Sequence, residues 1–411
     1  MKVAMFQQAP YRFLPEDFEQ HWSPSVTMPY RELADARGMA ATYHQMLDEL
    51  ILGARSGFDG VVVTEHGQAA YDITPNPSLP AAVLANTLRT EDLKAALIVL
   101  GRSLGKTREP LKIAEEYAML DAMSDGRLIA GFPVGLSYDA NINQGIPAVE
   151  TRARFREGYD LLRRAWASDE AFAFNGRFSQ YAHVNLWPRP VQDPHPPLWF
   201  PGGGTPSTMD WVLAQDAAFV LLTWFGVRMG GAGIFDRFWE MCEAKGKEIN
   251  PHRVAVVQVC AAAETDERAE AEYGPWLEKG FRHGPGSMPQ QFFVQPGYMP
   301  YRGLQGMLRS TADPGIAARL KTVTFKELLD EGCVIVGSPA TVRERLEAVC
   351  REMRVGNLLA MLHMGEMPHE LAQKSIRMFS EEVLPHVQGM WERDGYEHRW
   401  WPTGVPAKAV A

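Results

Sequence analysis

Short apolar runs alternate with longer amphipathic segments from the first residues of this chain nearly to its last. Residues 3–7, 60–65, 97–100, 128–131, 198–201, 219–223, 254–260 and 358–362 read as strands, bounded by turn residues. Between them, residues 42–56, 79–90, 111–123, 152–168 and 341–353 read as helices. The fourth helix places Phe155, Tyr159, Leu162 and Trp166 on one stripe, with Arg and Glu opposite, so it packs on a flat apolar surface. The last is entered through Ser338-Pro339, a capping serine followed by proline at the first helical position. Such alternation means parallel strands covered by helices, and about eight units favour a closed TIM (β/α)8 barrel. An open doubly wound sheet is the alternative, because alternation alone does not show closure. In either, chemistry belongs just after the carboxyl ends of the strands.

A bare barrel needs about 250 residues, and this chain has 411 without a repeat or a domain linker. One domain over residues 1–411, with insertions, is expected. The net charge of -9 is the wrong sign for nucleic acid or an anionic membrane surface. With no signal-peptide pattern and no run of about 18 apolar residues, a cytoplasmic protein is expected. Cys242, Cys260, Cys333 and Cys350 are scattered without CxxC spacing, which argues against a zinc ribbon and a disulfide framework.

The strand ends carry the chemistry-bearing residues. After the fifth strand runs Pro201-Gly202-Gly203-Gly204-Thr205-Pro206-Ser207-Thr208. Gly203 and Gly204 let backbone approach a ligand, Thr205 can cap the following helix, and Thr208 adds a hydroxyl beside free amides, which suits a phosphate. A glycine-rich turn with an ordinary cap is the alternative. Neither a Walker loop nor GxGxxG is present. Glu65-His66, at the second strand's end, sets a carboxylate beside an imidazole able to shuttle protons, although a hydrogen-bonded structural histidine would look the same. No HExxH-like spacing accompanies it, so no metal is expected. Arg152 opens the long amphipathic helix and can reach an anion at the mouth, or belong to its solvated face. Trp224, at the sixth strand's end, is placed to border a flat cofactor or to pack in the core. His363, after the eighth strand, reads equally as structural or substrate-facing.

Four segments together resemble the bacterial-luciferase-like flavin-dependent monooxygenases: Gly57-Phe58-Asp59-Gly60 through His66, residues 114–127, residues 197–211, and Val336-Gly337-Ser338-Pro339-Ala340-Thr341-Val342. Glu381-Glu382-Val383-Leu384-Pro385 extends the likeness over most of the chain. The resemblance implies a TIM barrel that binds reduced flavin mononucleotide (FMN), supplied by a separate flavin reductase, and reacts it with dioxygen to oxygenate a small organic substrate. It also implies a homodimer or homotetramer. Glu65 and His66 match the acid and the proton-transferring histidine beside the flavin ring, Thr205 and Thr208 match hydroxyls at its phosphate, and Arg152 resembles the phosphate-side arginine. The segment around Ala81 resembles the one whose non-prolyl cis bond supports the ring.

Three positions depart from luciferase itself. Val134 stands for an arginine, Pro133 for a reactive cysteine, and Gly67 for the second histidine of Glu-His-His. Luciferase-type aldehyde chemistry is therefore in doubt, while flavin binding is not. Oxygen chemistry on a flavin needs a dry, covered cavity. Residues 274–320, rich in aromatics and Gly-Pro punctuation, read as an insertion between strands seven and eight that supplies the cover, with Phe292 and Tyr298 as candidate substrate contacts beside His363. An apolar or aromatic substrate is expected from that composition. Two other functions stay open. A deazaflavin-dependent dehydrogenase on the same barrel would call for a basic cluster at the strand ends, none of which is read there, and a non-catalytic flavin-binding protein would have no need of both Glu65 and His66.

Overall fold

The computed structural model describes residues 1–18, 28–222, 231–284 and 320–405, with isolated positions 26, 292, 295, 297, 298, 301 and 305. Eleven strands are present among them: β1 (Lys2–Phe6), β2 (Gly60–Val63), β3 (Ala96–Leu100), β4 (Leu128–Gly131), β5 (Phe172–Asn175), β6 (Gln180–Val184), β7 (Leu198–Pro201), β8 (Ala218–Leu222), β9 (Val254–Ala262), β10 (Val334–Gly337) and β11 (Asn357–Met361). Eight of them, in the order β1-β2-β3-β4-β7-β8-β9-β11, form a parallel ladder that returns to β1, so the barrel is closed. The open sheet is excluded.

Both strand faces are covered, which is why the strands read as continuous apolar runs rather than alternating ones. Val3 and Met5 of β1, Val61 and Val63 of β2, and Leu97 and Val99 of β3 pack outward beneath the helices. The residues between them, including Phe6, Val62, Ile98 and Ile129, fill the barrel interior. Trp199 of β7 is wholly buried there, and Ala4, Ala96, Ala218 and Ala255 on other strands leave room for its indole.

The helices fall where periodicity puts them, over Ala36–Arg55, Ser78–Thr90, Pro110–Met123, Thr151–Ala167 and Pro339–Glu352. The Asp35 carboxylate caps the first by accepting from the amides of Arg37 and Gly38, at 2.7 and 2.9 Å. The stripe Phe155, Tyr159, Leu162 and Trp166 is buried as expected.

Three features differ from the sequence expectation. An antiparallel hairpin, β5–β6, follows the fourth barrel helix. Its turn is held by Glu157, whose carboxylate accepts from the amides of Arg177, Phe178 and Ser179. A ninth parallel strand, β10, pairs with the far half of the unusually long β9. Finally, the helix Asp266–His283 runs ten residues into the segment read as an insertion, with Leu277 and Phe281 buried in the core, so the insertion starts only beyond it.

The chain after Glu392 lies across the amino-terminal end of the barrel, opposite the mouth, and is therefore no part of a cover. The Trp199 indole donates to the Trp400 carbonyl at 3.0 Å, and the Trp400 indole to that of Asp216 at 2.8 Å. The buried guanidinium of Arg253 stacks 4.4 Å from the Trp400 ring centre and pairs with Asp216 at 2.9 Å. Beside it, His252 and His398 stack with ring centres 3.5 Å apart.

His252 Nδ1 lies 3.1 Å from the Gly356 carbonyl, which can only accept, so that nitrogen carries the proton. Burial first, and then His398, push the His252 imidazole down to about 3 from the ordinary 6.5. The folded chain thus refuses a proton that the unfolded chain takes up. The resulting stability is fully present above pH 6.5 and is lost as the pH falls toward 3. In urea titrations between pH 6.5 and 5, the unfolding free energy of the wild type should fall more steeply than that of His252→Gln; equal slopes would remove His252 from the acid response.

Candidate functional site

The carboxyl end of β2 delivers Glu65 into the barrel mouth, where its carboxylate is buried and surrounded by donors. Arg102 Nη1 and the Ser103 amide reach it at 3.2 Å, and Lys106 Nζ at 3.4 Å. Arg102 also reaches Glu116 at 3.4 Å. Gly101 makes this approach possible, because a Cβ there would lie 2.4 Å from the Glu65 amide nitrogen. Burial pushes Glu65 above the ordinary carboxyl value, against the pull of Lys106 and Arg102.

The pair Arg102 and Lys106 corrects the expectation that no basic cluster stands at a strand end. Both lie in Gly101-Arg102-Ser103-Leu104-Gly105-Lys106, directly after β3. Two cations within six residues of a strand end are the signal that identifies them.

His66 is nearly buried beside Asp139, which follows β4. Its Nδ1 lies 2.9 Å from Asp139 Oδ2 and 3.1 Å from the Tyr71 hydroxyl. Burial pulls the imidazole down, but the Asp139 carboxylate outweighs it and holds His66 above its ordinary value. Asp139 is held below its own ordinary value, because His66 and then Lys106 overcome the effect of burial.

A cleft of about 260 Å³ opens here between the ends of β2, β3 and β4. Glu65, Arg102, Lys106, Asp139 and Asn143 line it, with Pro75 and Ile113 among its few apolar walls. This polarity departs from the expected apolar substrate cavity. Among the described residues, no three His, Cys, Asp or Glu side chains converge as metal ligands would, and no helix is long and apolar enough to cross a membrane.

On β7, the neighbour of β4, the glycine loop leads into the helix Pro206–Ala214. Thr205 holds the N-cap position, but its hydroxyl meets the Thr208 hydroxyl at 2.9 Å instead of capping the backbone. Gly204 has φ +76°, and a Cβ on it would come within 2.6 Å of Ile234, so glycine is required. A Cβ on Gly203 would meet nothing within 4 Å among the described residues, so the loop is open to them on that side. Two unspent hydroxyls beside the amides of a helix start form a cradle that fits a phosphate.

The remaining expected site residues are placed variously. Arg152 Nε donates to the Tyr298 carbonyl at 3.2 Å, and its guanidinium lies 5.9 Å from the Tyr298 ring centre. The Tyr298 hydroxyl donates to the Gly135 carbonyl. Phe292 stacks on Tyr138 at 5.8 Å, one residue before Asp139, so both aromatics of the insertion reach the loop after β4. Trp224 lies outside the described residues.

Two placements are corrections. His363 is not substrate-facing: it is buried, with Nδ1 3.0 Å from Glu49 and Nε2 3.1 Å from the Gly365 carbonyl. Ala81 is wholly buried inside the helix Ser78–Thr90, and the cis bonds among the described residues are Trp187-Pro188 and Asp193-Pro194. A methyl side chain packed within a helix presents no atom to a ligand at the mouth.

Known proteins resemble this chain in sequence and in fold. The model of the luciferase-like monooxygenase family matches residues 25–355. The oxygenase component of a flavin-dependent trigonelline monooxygenase of Acinetobacter baylyi is 28% identical over 178 residues, 43% of this chain and 47% of that protein, so the match spans about half of that relative's length. An FMNH2-dependent dimethylsulfone monooxygenase of Pseudomonas putida is 22% identical over 382 residues, 90% of this chain and 94% of that one. Among solved structures, the oxygenating constituent of 3,6-diketocamphane monooxygenase of Pseudomonas putida, in complex with FMN, superposes with a TM-score of 0.62 at 21% identity, covering 94% of this chain and 98% of that one. An F420-dependent secondary alcohol dehydrogenase superposes with a TM-score of 0.61 at 15% identity, covering 94% and 98%. The family model spans most of the closed barrel, both strand ends that carry Glu65-His66 and the glycine loop included, and the chain belongs to the luciferase-like monooxygenase family.

Proposed function

We propose that this protein is a monooxygenase that takes reduced FMN from a separate reductase and uses dioxygen to oxygenate a small organic substrate. The observation that carries the reading is one barrel mouth holding Glu65 and His66 on one side and a hydroxyl-lined helix start on the other. The FMN named for one relative and one solved structure supports it, as does the description of another relative as an oxygenase component.

When bound, reduced FMN supplies the electrons that activate dioxygen. The chain's own residues do the rest. Thr205, Thr208 and the open backbone at Gly203 hold the phosphate, Glu65 sits as a buried acid at the ring, and His66 holds or moves a proton. Phe292 and Tyr298, bound to the loop after β4, help to exclude water. The polar walls of the cleft point to a substrate carrying polar groups rather than a wholly apolar one.

A second reading is favoured by a particular observation. Arg102 and Lys106 supply the basic pair that a deazaflavin-dependent dehydrogenase would use for an acidic cofactor tail. Anaerobic titration separates the two: reduced FMN should bind saturably and more tightly than reduced F420, and the opposite order would establish the dehydrogenase reading. For the phosphate cradle, the double substitution Thr205→Ala and Thr208→Ala should weaken FMN about tenfold or more while leaving riboflavin binding unchanged. Equal loss for both ligands would place the phosphate elsewhere.

We place the protein in the cytoplasm and as a homo-oligomer. The neighbouring helices Ser78–Thr90 and Pro110–Met123 expose Leu79, Val83, Met119 and Met123, apolar side chains that self-association would cover. Sedimentation should show a dimer or larger species that Val83→Glu with Met119→Glu converts to monomer. An unchanged mass for the variant would move the interface to another face.

A further inference from the structure

The mouth contains one polar contact that the proposed reaction does not by itself require. Both hydrogen-bonding neighbours of His66 fall on the same ring nitrogen: Asp139 Oδ2 at 2.9 Å and the Tyr71 hydroxyl at 3.1 Å from Nδ1. A carboxylate can only accept, so Nδ1 carries a proton in the neutral ring as well as in the charged one. The Tyr71 oxygen then shares that proton as a second acceptor. Proton exchange is left to Nε2.

The backbone around Asp139 is fastened to the backbone after His66. Asp139 lies in a single widened helical turn, Tyr138–Asn143, a form of turn often found at functional sites. The Tyr138 hydroxyl donates to the carbonyls of Gln68 and Gly67, at 2.5 and 3.2 Å, and Asn143 Nδ2 donates to that of Gly67 at 2.9 Å. Two clamps, one on either side of Asp139, therefore grip the two residues that follow His66. Phe292 stacks on the ring of the first. This is more support than a surface ion pair receives.

We propose that Asp139 is a positioning residue that locks His66 as the Nδ1–H tautomer and reserves Nε2 as the atom that gives and takes the proton at the bound cofactor or substrate. The proposal rests on the role given to His66 above. In this role Asp139 acts through the imidazole, as second carboxylates do behind many histidines.

The charged and titratable groups around His66 come from three strand ends: Tyr71 and Asp72 after β2, Lys106 after β3, and Asp139 after β4. Asp72 is occupied by the Thr64 hydroxyl at 2.9 Å and by the amides of Thr74 and Ala9, at 3.1 and 3.3 Å. Lys106 opposes a proton on His66. Asp139 is therefore the group whose removal should let burial prevail.

The test uses the cofactor-free full chain, with ¹⁵N-histidine NMR and the His66 signals assigned by their loss in His66→Gln. Wild-type His66 should be the Nδ1–H tautomer when neutral and titrate above 6.5, the ordinary imidazole value. In Asp139→Asn, which keeps the shape and one acceptor but loses the charge, titration should fall below 6.5. In Asp139→Ala the Nδ1–H preference should also be lost. An Nε2–H tautomer in the wild type overturns the proposal without recourse to any variant, as does an unmoved His66 titration in folded Asp139→Asn. Because no flavin is present, these results stand apart from the FMN titrations: a chain that fails to bind FMN yet shows both shifts keeps the dyad and loses the proposed reaction.

Discussion

A closed barrel depends on its first and last strands finding each other, and here β1 and β11 pair across some 355 residues of sequence, as Lys2 with Asn357 through Phe6 with Met361. The seam is fixed near the mouth by one buried carboxylate. Glu49, inside the helix Ala36–Arg55, accepts from Arg12 at 2.7 and 3.0 Å, from His363 at 3.0 Å and from His369 at 2.7 Å. Gln7, just past β1, donates to it as well. Four elements thus meet on one side chain: the loop after β1, the first barrel helix, the end of β11 and the helix His369–Met378. Burial alone would push Glu49 up, but His363, His369 and Arg12 hold it well below the ordinary carboxyl range. Such a hub stabilises only while its partners are complete, since a buried charge left without them costs several kcal/mol, of the order of 3–5. The seam tied in this way adjoins β2, the strand whose end carries Glu65 and His66.

Away from the seam, the mouth uses similar groups to opposite ends. Glu65 and Asp139 are both buried carboxylates facing one cleft, yet Glu65 is pushed up and Asp139 held down. For Glu65, burial outweighs two cations, each at a long 3.2 to 3.4 Å. Asp139, by contrast, has an imidazole at 2.9 Å and Lys106 behind it. Separating the proton affinities of neighbouring groups is how one site comes to hold an acid and a base together near neutral pH. His66, raised by Asp139, completes the set as the group nearest to physiological exchange.

Much of this was legible in the residues. The eight barrel strands, five of the helices, the first of which starts six residues earlier than expected, and the Glu65-His66 pair follow from periodicity and from the rule that chemistry sits at strand ends. The misreadings have physical causes. Arg102 and Lys106 stand within six residues of the third strand's end, which marks them as a candidate pair, but only folding shows that both turn toward Glu65. Asp139 lies 73 residues from His66, and no spacing rule connects a residue inside a loop to a partner on another strand. His363 looked available because it follows a strand, but a histidine at that place can as readily be consumed by a buried carboxylate. β5 and β6 are half-exposed strands of four and five residues, too short for an alternating pattern to stand out. Residues 274–283 read as part of a cover because aromatic content alone does not distinguish a lid from a helix packed on the core.

The two ends of the barrel divide the labour in a way that composition conceals. At the amino-terminal end, polar groups are spent on closure: Trp199 donates to the Trp400 carbonyl, Trp400 donates to that of Asp216, and Arg253 pairs with the Asp216 carboxylate while stacking on Trp400. At the mouth, several are left to spare. Thr205 and Thr208 bond to each other rather than to the backbone, and Gly203 faces open space among the described residues. Hydroxyls placed at a helix start for stability alone would cap its amides, a contribution of about 1 kcal/mol. Here Thr205 forgoes that contribution, while Ser338 and Thr324 take it at the starts of their own helices. A threonine at the N-cap position that turns its hydroxyl to a neighbouring hydroxyl, and not to the backbone, leaves that pair at the mouth available to an anion, and the separation between a plugged end and such a mouth is what allows a stable barrel to carry a reactive site.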